Sequence, residues 1–168
     1  MLVKIVGGIL IVLGTSMLGF SASGRNYKRH KNLLKFITGL TAMENEINYT
    51  KKPIDEVLKR VSEIIDFREI FLTTAKISDE ISLKKRWERA VLEDYKKLYF
   101  KKEDVETILL LGGELGMTDR EGQIKNIKHI KKLVDVLQKE AKDEYFRQSK
   151  LLKGLGVSVG LFLVILLM

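Results

Sequence analysis

The stretch LLLGGELGMTDREGQIKNI, residues 109–127, sets three glycines beside acidic and amide side chains. Gly112, Gly113 and Gly116 are the residue type that lets backbone amides close around a phosphate, so phosphate binding is the first chemistry to weigh. A P-loop needs two glycines five apart, followed by Lys and then Ser or Thr. Five positions beyond the three glycines stand Met117, Thr118 and Glu121, and the pattern fails each time. The dinucleotide fingerprint fails too, because no strand precedes the stretch and the spacing is wrong. Between Gly112 and Gly122 the charged side chains are Glu114, Asp119 and Glu121 with a single cation, Arg120, the wrong charge balance for a phosphate. The same residues suit a corner between two helices. Gly116 is placed for a left-handed C-terminal cap, which glycine adopts without steric cost. Gly112 and Gly113, in the last turn, let a neighbouring helix come close. Thr118 and Glu121 have capping-box spacing, and Asp119 adds a second oxygen there.

Other chemistry has fewer residues to draw on. The chain holds two histidines, His30 and His129, far apart, and no cysteine. That leaves no metal set of usual spacing, no disulfide and no thiolate site, and no cofactor is implied. Glu44 and Glu46, in MENEINY, are paired carboxylates of the kind that do acid–base work. On a helix, residues two apart point about 200° from each other, so the two cannot serve one site. Glu44 falls at the edge of an apolar stripe, beside Leu40 and Ile47. It is there either a rim carboxylate paired to a lysine or a polar contact to a partner or another helix. Tyr49 reads as a ring at the edge of the core, and Trp87 as core. Lys84, Lys85, Lys96 and Lys97 alternate with acids instead of clustering with exposed aromatics, which speaks against nucleic acid. With no catalytic set, a non-enzymatic protein is expected.

The elements that must position these residues are helical. One proline in 168 residues, with abundant Leu, Ile, Lys and Glu, favours an all-α chain. Arg25 to Tyr49 reads as one long amphipathic helix, with Leu33, Phe36, Leu40, Met43 and Ile47 at helical spacing. Pro53 opens the next, with Asp55 and Glu56 at its positive end and Ile54, Val57, Leu58, Val61, Ile64 and Ile65 inward. Phe67, Ile70, Phe71 and Leu72 form a shorter piece. A helix is expected from Ser78 to about Tyr99, another over KEDVETILLLGGEL, and a last one from the glycine corner onward with no stop signal between Ile124 and Lys153. The expected architecture is an all-α bundle of five to six helices.

Both ends of the chain are apolar. Residues 5–23, IVGGILIVLGTSMLGFSAS, form a 19-residue stretch without a charge, roughly 28 Å long as a helix and close to the thickness of a bilayer's hydrocarbon core. Residues 154–168, GLGVSVGLFLVILLM, give 15 more, which Leu151 and Leu152 extend if Lys153 snorkels. A buried soluble helix is the other reading of the second segment, and a secretory signal peptide that of the first. The flanks favour two spans. Arg25, Lys28, Arg29, Lys31 and Lys35 follow the first, and Arg147, Lys150 and Lys153 precede the second, with no acid among them. Such cationic flanks stay in the cytoplasm. The expectation is a two-pass chain: span 1–24, a cytoplasmic bundle 25–150 and span 151–168, with much of the net charge of +8 at the membrane surface. Gly156 and Gly160 have the spacing that lets helix backbones approach in lipid, as do Thr15 and Gly19, between the two spans or between copies in a homo-oligomer.

Three segments carry a resemblance to a known family. LGGELGMTDREGQIKNI resembles the LGxxLGxxDxxxQxxxI signature of stage III sporulation protein AB, through Gly113, Leu115, Gly116, Asp119, Gln123 and Ile127; either Gly112 or Gly113 supplies the first glycine. LTAMENEINYTKKPI resembles the family's LxxLExEIxYxxxPL segment through Glu44, Glu46, Ile47, Tyr49 and Pro53, with Met43 and Ile54 in place of leucines. The closing GLGVSVGLFLVILLM is similar to the family's final LGxxxGL span. The resemblance implies a component of the mother-cell membrane complex that builds a channel toward the forespore in endospore-forming bacteria. It also implies a bundle similar to the cytoplasmic domain of the type II secretion F protein. The implied partner is a hexameric secretion-type ATPase, the stage III sporulation AA protein, alongside other membrane components of the complex. Glu44, Glu46, Tyr49, Gly113, Glu114, Gly116, Asp119 and Gln123 are the candidate partner or inter-helix contacts. A membrane-anchored nucleotide-responsive module and a binder of anionic surfaces are the alternatives.

Overall fold

The computed structural model describes residues 24–50, 52–77 and 81–167, together with Gly7 and Gly14. Its elements are α1 (Gly24–Tyr49), α2 (Ile54–Ile64), α3 (Glu69–Lys76), α4 (Leu83–Asp94), α5 (Lys102–Gly112) and α6 (Arg120–Leu167). Among the described residues there is no strand, so the all-α expectation holds. The chain divides into two compact units, Arg29–Lys139 and Met1–Lys28 together with Glu140–Met168.

Within Arg29–Lys139 the periodic stripes do what their spacing demands. Leu33, Phe36, Leu40, Met43 and Ile47 are buried along α1, and Ile127, Ile130 and Val134 along α6. Asp55 and Glu56 lie in the first turn of α2, directly after Pro53, where missing amide partners and the helix dipole favour them. Val57, Leu58 and Val61 point inward, but Ile64 is 59% exposed. The expected start of α4 at Ser78 lies outside the described residues; the helix itself opens at Leu83, after Ser82. Its far end matches the expectation more closely. Beyond Asp94 the turns continue until Tyr99 takes φ 61°. There Phe100 N–H donates to Tyr95 O and Tyr99 N–H to Lys96 O, the paired closure of a Schellman cap.

An aromatic cluster joins these helices. Phe36 of α1 stacks on Phe71 of α3 at 5.6 Å, and Phe71 meets Trp87 of α4 edge-on at 5.9 Å. Two glycines permit the approach. A Cβ on Gly39 would sit 2.5 Å from the Phe71 ring, and one on Gly112 would sit 2.6 Å from Trp87 Cδ1. The indole then donates Nε1–H to Ile108 O at 2.9 Å, which gives a buried polar group its partner.

Two kinds of polar link complete this unit. Arg29 forks onto Asp104, with Nε to Oδ2 and Nη2 to Oδ1 both at 2.7 Å. Asp104 is fully buried and Arg29 nearly so, and Asp104 Oδ2 also accepts Lys101 N–H at 2.8 Å to cap α5. Along α1 and α6, Asn48 meets Arg120, Glu44 meets Lys131, and His30 meets Gln138. As the α1 number falls the α6 number rises, so the two helices run antiparallel.

In the other unit, Tyr27 packs its ring 5.3 Å from that of Tyr145, and Asn26 donates to Gln148. Helix α6 continues to Leu167 without a break, as the missing stop signal predicted. Among the described residues no helix is long and apolar enough to cross a membrane. The apolar stretch 5–23, with Thr15 and Gly19, lies outside them except for Gly7 and Gly14, and so do the surroundings of Gly156 and Gly160.

The buried pair makes a prediction. Asp104→Ala removes both hydrogen bonds that fork the buried Arg29 guanidinium onto α5 and should cost about 3–5 kcal/mol, read as a lower urea midpoint. Trp87 is the only tryptophan and is fully buried, so its emission follows the transition. A midpoint within error of wild type would mean that Arg29 reaches water in the folded chain.

Candidate functional site

The glycine corner is a run of tight turns. Gly113 N–H donates to Leu110 O, Glu114 N–H to Leu111 O and Met117 N–H to Glu114 O, at 3.2–3.3 Å. Gly116 then takes φ +73°, the left-handed cap its position predicted. Asp119 Oδ1 accepts Gly122 N–H at 2.9 Å, and Gln123 N–H returns to Asp119 O at 3.0 Å. Five corner amides are therefore committed to the chain itself.

Three readings of the corner need correction. The cap of α6 is Asp119, not a Thr118–Glu121 box. With Arg120 as the first helical residue, the third is Gly122, which has no side chain to close a box. Gly112 admits a neighbouring helix, but Gly113 does not: a Cβ there would meet only Leu110 O, at 3.5 Å. Tyr49 is not at the core edge but 83% exposed. It lies two residues after the buried Ile47, hence on the opposite side of α1.

The paired carboxylates diverge as their spacing requires. Glu44 reaches Lys131 at 2.7 Å and Lys128 at 3.6 Å on α6. Glu46 reaches Arg60 on α2 at 2.8 Å, while its Oε2 is buried without a hydrogen-bond partner. Each ties α1 to a different helix.

Both sequence segments converge at one end of the bundle. The C-terminus of α1, the start of α2 and the N-terminus of α6 enclose a cavity of about 250 Å³ lined by Ile47, Thr50, Lys52, Ile54, Arg120 and Gln123. Gly116 adjoins it, since a Cβ there would lie 3.5 Å from Ile54 and 3.3 Å from Leu83. Gln123 donates Nε2–H to Thr118 O at 3.0 Å, and its Oε1 is buried with no partner. Arg120 donates to Asn48 Oδ1 at 3.1 Å, and Lys52 pairs with Glu56 at 3.1 Å. Glu114 is exposed, and Met117 is 80% exposed. Among the described residues no three His, Asp or Glu side chains are grouped to hold a metal ion.

Sequence reasoning missed Lys52 and Arg120 as lining groups, and Arg29 and Asp104 as a pair. For the pair a signal existed. Arg29 stands four before Leu33 on the α1 stripe, and Asp104 four before Ile108 on α5. A charge in register with a buried stripe has to find an opposite charge. Lys52 and Arg120 meet only through the fold.

Comparisons with known proteins agree on one family. The model of the stage III sporulation protein AB family matches residues 4–168. Stage III sporulation protein AB of Bacillus subtilis (strain 168) is 26% identical over 172 residues, covering 99% of this chain and 100% of that protein. A solved structure of a stage III sporulation protein AB superposes with a TM-score of 0.64 at 22% identity, covering 71% of this chain and 97% of the other.

The two kinds of glycine separate by substitution. Gly116→Val places a β-branched side chain at φ +73° and should lower stability by more than about 2 kcal/mol. Gly113→Ala sits at helical φ in open space and should change stability by under about 1 kcal/mol, toward stabilisation. Urea midpoints read both, and equal large losses would refute the geometry of the corner.

Proposed function

The chain belongs to the stage III sporulation protein AB family, and from that premise we propose that it is a non-enzymatic membrane platform. On this reading it couples a secretion-type ATPase, the stage III sporulation AA protein, to the membrane complex that forms a channel between mother cell and forespore. The apolar segments 5–23 and 154–168 are its two spans, set in the mother-cell membrane facing the forespore. The bundle between them lies in the cytoplasm. Arg25, Lys28, Lys31, Lys35, Arg147 and Lys150 are exposed and form the cationic collars that hold it there. Arg29 is not one of them, because Asp104 takes its charge. The bundle itself is the counterpart of the type II secretion F domain.

One observation carries the adaptor reading over a nucleotide site. Five amides of the glycine corner turn onto its own carbonyls and Asp119, and Tyr49, Glu114 and Met117 are exposed. Such a corner supports a surface for another protein. A second reading, docking on an anionic surface, draws on the exposed Lys125, Lys128, His129 and Lys132 of α6. Other membrane components of the complex and further copies of the chain are partners for Gly156 and Gly160.

Topology is the first test. The chain has no cysteine, so Glu114→Cys introduces a unique thiol. In intact cells it should resist a membrane-impermeant maleimide and react after permeabilisation. Labelling before permeabilisation would place the bundle outside and end the ATPase-coupling reading. The full chain in nanodiscs should also bind the purified AA ATPase, and its deletion should stop spore formation.

A further inference from the structure

The cavity between α1, α2 and α6 has the chemistry of a socket. Its floor is apolar, from Ile47 and Ile54. Two cations stand in its lining. Arg120 donates to a neutral amide oxygen, Asn48 Oδ1, which leaves the guanidinium's charge uncompensated and most of its five donors for another acceptor. Among the described residues Lys52 pairs with Glu56, in an exposed i,i+4 pair of the kind that a better partner displaces at little cost. Beside them is an acceptor, Gln123 Oε1, buried and without a hydrogen bond. Because Nε2 is held by Thr118 O, the amide cannot flip without losing that bond.

A ligand that completes this set must bring negative charge to Arg120 and Lys52 and an N–H to Gln123. The phosphate dianion of a nucleotide brings only acceptors, and would face Gln123 Oε1 with a like partial charge; inorganic phosphate keeps a P–OH donor at neutral pH, and calorimetry separates it. An acidic residue in a peptide chain brings both, its carboxylate for the cations and a backbone N–H for the amide oxygen. The volume of about 250 Å³ suits one such side chain.

We propose that this cavity is the anchor point of the platform, and that it takes an Asp or Glu carboxylate from a loop of its protein partner. This rests on the platform reading above and deepens it by naming the contact.

The test uses the full chain in nanodiscs with the AA ATPase as probe. Arg120→Glu and Lys52→Glu should each weaken binding at least tenfold, with Trp87 emission unchanged to show an intact fold. Reversing one acidic residue of the ATPase to Lys should restore binding to Arg120→Glu. If both reversals bind as wild type does, the socket is not the anchor, and the platform reading stands without it. If the wild-type chain binds no ATPase, both readings fall. Calorimetry with inorganic phosphate and with ATP should give no heat; saturable heat abolished by Arg120→Glu would make this a phosphate site and overturn the proposal.

Discussion

The Asp104 carboxylate is wholly removed from water, and it can carry a charge there only because Arg29 grips both its oxygens at 2.7 Å. That requirement ties the beginning of α1 to the first turn of α5, and much of the bundle follows from it. With α5 held, Ile108 O is presented to the Trp87 indole, and Gly112 passes beneath the ring. The corner after Gly112 is then delivered against Leu83 and Ile54, where Gly116 reverses the chain into α6. A buried ion pair adds little net stability against a well-packed apolar substitute, because desolvation offsets most of its attraction. Its value here is directional: a forked guanidinium accepts a carboxylate in few orientations, whereas aromatic packing alone tolerates sliding.

A second set of polar links runs along α1 and α6. Individually they are weak. Glu44 and Lys131 are only partly buried, at 18% and 28% side-chain exposure, so their attraction is screened. Their positions matter more than their strength. Asn48–Arg120, Glu44–Lys131 and His30–Gln138 set one register between two helices whose apolar stripes would also permit neighbouring ones. The candidate end of the bundle depends on that register, since Thr50 comes from α1 and Arg120 and Gln123 from α6.

The glycine corner shows how similar residues separate by environment. Gly112 is needed for space, Gly116 for a left-handed backbone, and Gly113 for neither. The amides of Gly113, Glu114, Met117, Gly122 and Gln123 are taken up locally by Leu110, Leu111, Glu114 and Asp119. What remains exposed is side-chain chemistry: a ring, a thioether, a carboxylate and a guanidinium. The chain as a whole belongs to the stage III sporulation protein AB family, whose model matches residues 4–168.

Sequence alone determined what depends on near neighbours. The 3.6-residue stripes of α1 and α6, the proline before α2, the left-handed Gly116 and the divergence of Glu44 from Glu46 all follow from helical geometry and backbone sterics, which act within one or two turns. The tertiary structure alone decided which distant groups meet. Arg29 finds Asp104 75 positions away and Arg120 finds Asn48 72 away. Tyr49, two residues past the buried Ile47, and Asp119, just before Arg120, follow instead from local helix geometry. Spacing along a chain encodes a face but not its partner. The partner is set by how the helices stack, and stacking is a property of all the buried faces together.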